Sequence, residues 1–147
     1  MRLLAFLTRT RYAPARFDVM NRLVANLASD GVWWNRGESI GLLVGASLSD
    51  DERLMVRSGL RVAAEEGDAE MVSACVTVLR EVEPDYTLTE EPEVIAWMLK
   101  ELEDDDEYGN GALAYAVLRD GLPDAANNTL LRSIAEDPNA DRKSTRL

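Results

Sequence analysis

Histidine is absent from the 147-residue chain, and cysteine occurs once, at Cys75. The first absence removes the imidazole base that Ser-His-Asp and Cys-His catalysis require. A lone cysteine forms no internal disulfide, and without histidine it builds no Cys/His zinc site. Aromatic residues are scarce at 6%, and no apolar run approaches the roughly 20 residues that cross a bilayer. Leu3–Leu7 is a short apolar stretch that runs into Arg9 and Arg11, which does not read as a secretory leader. The expectation is a non-enzymatic, cytoplasmic chain with no cofactor, no metal and no membrane segment.

Lysine is also nearly missing, with only Lys100 and Lys143, so arginine carries the positive charge. The net charge is −11, and it is unevenly spread. Residues 1–61 hold nine bases against six acids, whereas residues 62–140 hold four bases against twenty acids. Two surfaces of opposite character follow from that split. The last seven residues, Asp141–Leu147, match one reading frame of a common short-read sequencing adapter and are set apart from the fold.

What is present reads mainly as helix. An arm over residues 1–14 ends at Pro14, with Arg9 and Arg11 beside Tyr12. Phe17, Met20, Leu23, Val24 and Leu27 recur at helical spacing and predict a helix over about 15–29, capped near Gly31. Val32-Trp33-Trp34 reads as a short strand before the turn composition Asn35-Arg36-Gly37. A second short helix is expected over about 38–46, with Ile40, Leu43 and Val44 inward. Ser49-Asp50-Asp51-Glu52 is a capping box, so a third helix should run over about 50–66 and stop at Gly67.

Arg53, Arg57 and Arg61 fall four apart and share one stripe of that third helix, while Val56, Leu60 and Ala63 occupy another. Residues 69–82 admit two readings. Val72, Ala74, Val76 and Val78 alternate as a strand does. Met71, Val72, Cys75, Val76, Leu79 and Val82 fit a helix with Asp68 as N-cap. The β-branched content and the Pro84-Asp85 turn favour a hairpin.

Residues 17–67 resemble the winged helix-turn-helix family of transcriptional regulators. The likeness rests on Asn21–Leu27, on Asp30-Gly31-Val32-Trp33-Trp34 and on the run Val56–Gly67. Tyr86-Thr87-Leu88-Thr89 is similar to the aromatic-x-Leu-Thr end of that family's last wing strand. The resemblance implies a mostly α fold with a small β-hairpin, a winged domain over 15–89 and a DNA-reading helix over 50–66. Arginine at a helix surface can grip guanine edges or phosphates in the major groove. The expected DNA-binding set is therefore Arg53, Arg57, Arg61 and Arg36, with Arg9 and Arg11 reaching the adjacent backbone. Double-stranded DNA is the expected partner, and homodimers are expected because one such module buries little surface.

Rival readings come from the same residues. Leu60–Val72, through Ala63-Ala64-Glu65-Glu66-Gly67-Asp68, also looks like one ankyrin helix-turn-helix, without a second copy at about 33 residues. An acidic all-α protein-interaction module, or an acidic decoy imitating nucleic acid, is the alternative function. The acidic extension over 90–137 reads as helices, with Val94, Ile95, Met98, Leu99 and Leu102 forming one stripe. Further helices are expected over 112–119 and after Pro123, with a tail from 138 to 147. Asp104–Gly111 imitates a calcium loop, but Tyr108 and Tyr115 stand where ligands belong. Trp33 and Trp34 could anchor a partner or enter the core, and Cys75 reads as an inert buried thiol.

Overall fold

Six α-helices and one 3₁₀ turn form the regular structure of the described residues, which are 13–28, 33–103 and 111–123 in the computed structural model. They are α1 (Ala13–Ala25), α2 (Trp33–Gly45), α3 (Asp50–Glu66), α4 (Ala69–Val82), the turn Leu88–Glu90, α5 (Pro92–Glu103) and α6 (Gly111–Gly121). The chain divides into two units, Met1–Asp85 and Tyr86–Leu147, and each is described by itself.

Local chemistry explains the helix ends of the first unit. Ser49 is extended (φ −70°, ψ 170°), and its hydroxyl accepts from the Glu52 amide at 3.2 Å. In return the Glu52 carboxylate accepts from the Ser49 amide at 2.9 Å, which completes the capping box at the start of α3. At the other end Gly67 takes φ 75°, the left-handed conformation glycine adopts without a side-chain clash. Its amide bonds to the Ala64 carbonyl, and the Asp68 amide bonds to that of Ala63, a Schellman closure. Asp68 then caps α4 at once, accepting from the Met71 amide at 3.1 Å. Two residues thus end one helix and begin the next, which forces α3 and α4 into an antiparallel hairpin.

Packing follows a simple rule. α3 lies against α4, and α1 lies against α2. Between the pairs, α1 contacts α3 and α2 contacts α4, so first helix stacks on first and second on second. Met20, Leu23, Leu27, Leu43, Val56, Leu60, Val72 and Leu79 make the fully buried centre. Gly59 sits where the α3 backbone comes closest to its neighbours. A Cβ there would lie 2.9 Å from Val24 Cγ1, 3.5 Å from Met71 Cε and 3.8 Å from Cys75 Sγ.

In the second unit, Thr87 caps the 3₁₀ turn by accepting from the Thr89 amide at 3.2 Å. α5 opens on Pro92, a first helical residue whose missing N–H costs nothing there. It packs on the 3₁₀ turn and on α6. Val94 and Met98 are its buried residues, while Ile95, Leu99 and Leu102 are half-buried.

Several expectations are corrected. Glu70–Thr89 is not a hairpin: residues 69–82 are helical, and no strand occurs among the described residues. The mostly α fold with a β-hairpin, and with it the winged helix-turn-helix architecture over 15–89, is overturned. Alternation misled because the covered face of α4 is wide: Met71, Val72, Ala74, Cys75, Val76, Val78 and Leu79 are all buried, while Glu70, Thr77, Arg80 and Glu81 form the exposed strip. A face that takes in residues 72, 74, 76 and 78 satisfies both periods. Tyr86–Thr89 ends no strand, since Leu88 begins the 3₁₀ turn. Trp33-Trp34 starts α2 and is not a strand; their side chains, like Val32, lie outside the described residues. Phe17, assigned to the inner face of the first helix, is 55% exposed, and Val19 is buried in its place.

The contacts at Gly59 generate a paired test. Gly59→Ala should cost about 1–3 kcal/mol, because the stiff, β-branched Val24 must give way. Gly41→Ala, at an exposed position of α2 with open space around it, should stabilise by about 0.5–1 kcal/mol. Urea unfolding midpoints of both variants check the opposite signs.

Candidate functional site

The start of α3 is held by a residue from another helix. Arg16 of α1 grips Glu52 with both ends of its fork, Nε donating to Oε2 at 2.6 Å and Nη2 to Oε1 at 2.9 Å. Nη2 also donates to the Ala46 carbonyl at 2.9 Å. Ser47, next in the chain, takes the left-handed φ of 53°, and its carbonyl lies 3.5 Å from the same nitrogen. Both partners are buried, with side-chain exposures of 10% and 9%. Burial alone would raise the Glu52 carboxyl, but Arg16, the Ser49 amide and the Ser49 hydroxyl together hold it below its usual 4.5.

Above this pair lies an open groove of about 490 Å³, lined by Arg16, Phe17, Ser47, Ser49, Asp51, Glu52 and Met55. Phe17 and Met55 supply apolar walls, and Asp51 supplies an exposed carboxylate at the edge. Arg16 and Glu52 cancel each other in the floor. The groove therefore carries a net negative edge beside an apolar side.

The arginines predicted to read DNA are placed differently from one another. Arg53 pairs with Asp50, and its Nε lies 3.4 Å from Glu83 Oε1. Arg57 pairs with the other Glu83 oxygen, Oε2. One carboxylate thus bridges two members of the stripe. Glu83 is the C-cap of α4, where the helix dipole disfavours an acid, and two guanidiniums offset that cost. Arg61 is exposed and engaged in an interaction of its own. Arg36, in α2, pairs with Glu70 of α4. Arg9 and Arg11 lie outside the described residues.

Other candidate sites carry no chemistry that the structure describes. The acidic run 104–110 is outside the described residues, and no metal-holding group of acids, Cys or His occurs among those described. Cys75 is fully buried, and burial, assisted by the negative charge of Asp68, pushes its thiol up to about 12. A thiol so far from ionising at neutral pH is an unreactive packing residue. Among the described residues no helix is long and apolar enough to cross a membrane.

Arg16 was not among the predicted site residues. The capping role of Glu52 is visible within four residues, but its second partner is 36 positions away. No local pattern marks that pairing. Comparison with protein-family models, curated proteins and solved structures finds no match for the chain.

The buried pair fixes a pH response. Because Glu52 titrates lower in the folded chain than in the unfolded one, its contribution is complete above about 4.5 and disappears as pH falls through the depressed folded value. Arg16→Ala should cost about 3–5 kcal/mol at pH 7, since it strands a buried carboxylate. Arg53→Ala, in a more exposed network, should cost under about 1 kcal/mol. Urea titrations at pH 7 and pH 3 should show the gap between wild type and Arg16→Ala narrowing in acid.

Proposed function

We propose that the chain is a non-enzymatic helical module that binds another protein through the outer surface of its stacked helices. One observation carries this reading. Among the described side chains of the first unit, the exposed large apolar residues Phe17 (55%), Leu54 (55%) and Val62 (46%) belong to α1 and α3, the layer of first helices. Apolar side chains left exposed on that layer are open to a partner's apolar surface.

Stacked helix pairs build such layers by construction, because each pair adds a strip of surface to the layer beside it. Duplex DNA suits the surface less well. Arg53 and Arg57 are already paired with Asp50 and Glu83, whose two negative charges offset theirs and weaken the pull on a phosphate. With a net charge of −11, the long-range field adds repulsion.

A titration of the full chain against a fluorescent duplex at low salt tests this. No saturable binding is expected up to about 10 µM protein, where even non-specific DNA binders, with dissociation constants of about 10⁻⁴–10⁻⁶ M at physiological salt, would bind on salt reduction. Tight binding with a steep salt slope, weakened in Arg57→Ala combined with Arg61→Ala, would overturn the reading.

A further inference from the structure

We infer that the groove between α1 and the start of α3 receives an arginine side chain from a partner protein, its guanidinium over Phe17 and paired with Asp51. The inference rests on the protein-binding reading above and adds to it the surface and the chemistry of the occupant.

The groove selects by elimination. Its one cation, Arg16, has Nε and Nη2 committed to Glu52 and to the Ala46 carbonyl, so an anion finds no strong donor there. Its floor charges cancel, whereas Asp51 is exposed and pairs with no described cation. A ligand must therefore offer positive charge at one end and apolar stem at the other. Arginine and lysine both have such stems, but only the planar guanidinium stacks flat on a ring and bonds a carboxylate with two parallel donors. Phe17 and Met55 supply the ring and the soft wall. The openness of the site suits a side chain entering from a polypeptide. Two copies of a chain with a net charge of −11 repel at long range, which disfavours a second copy as the occupant.

The probe is a fluorescein-labelled peptide alternating leucine and arginine, with a control in which glutamine replaces each arginine. Fluorescence anisotropy on the full chain should give a dissociation constant on the order of 100 µM for the arginine peptide, the strength of one anchored side chain. The glutamine peptide should bind at least about tenfold more weakly. Backbone NMR shifts should centre on residues 16–18 and 47–55. Phe17→Ala should weaken binding about tenfold, and Asp51→Asn about threefold, with loss of the preference for arginine over glutamine. Both positions are exposed, and Phe17→Leu, which keeps apolar bulk without the ring, should fall between wild type and Phe17→Ala.

Binding that ignores both substitutions, or shifts scattered over the acidic surface, would overturn the groove assignment and leave the protein-binding reading intact. So would no binding at about 1 mM peptide, far above the expected constant. Self-association of the chain lost in Phe17→Ala, measured by sedimentation, would give the groove to a second copy and overturn the inference. Failure of the broader reading shows separately, as duplex binding in the titration above.

Discussion

The buried Arg16–Glu52 pair is the constraint on which the first unit depends. It joins α1, the connection after α2 and the first turn of α3 at one point. Two charges taken out of water are costly unless each finds its partner and its remaining hydrogen bonds. Here the fork engages both carboxylate oxygens, and one of those oxygens also accepts the Ser49 amide. The arrangement works only if Ser47 turns left-handed and leaves its own and the preceding carbonyl near the guanidinium. A local helix cap is thereby converted into a tertiary clamp. That clamp also makes the groove floor neutral, which leaves Asp51 to set the charge of the edge.

Around this clamp the helices are brought together by size as much as by hydrophobicity. Gly59 lets α3 approach Val24 of α1 and Met71 and Cys75 of α4 at once. A larger residue would hold these elements apart and open voids in a centre made of Leu23, Leu60, Val72 and Leu79. The two-residue link Gly67-Asp68 sets the direction of α4 before packing begins. Close approach and tight turning leave little freedom in the α3–α4 hairpin. On the outer layer of α1 and α3, Phe17, Leu54 and Val62 stay exposed.

Legibility differed from helix to helix for definite reasons. α3 could be read to its ends because Ser49, Glu52 and Gly67 act on backbone groups within one turn. α5 was equally plain, with Pro92 at its start and a single apolar stripe. α4 reads as a strand or as a helix because its covered face is wide enough to include Val72, Ala74, Val76 and Val78, although Glu70, Ser73, Thr77, Arg80 and Glu81 mark a polar strip at helical spacing. The groove was not legible at all. Phe17 looked like a core residue at helical spacing, and only the placement of α1 against α3 turned it outward.

By itself, the sequence determined the absence of imidazole chemistry, the acidity and the ends of the capped helices. All three depend on composition or on contacts within about four residues. Tertiary structure alone decided which charges face solvent. Arg57 and Glu83 lie 26 positions apart, and Arg16 and Glu52 lie 36 apart. Ion pairing acts through space, and the distance between two such groups is set by how whole helices pack, which no local pattern encodes.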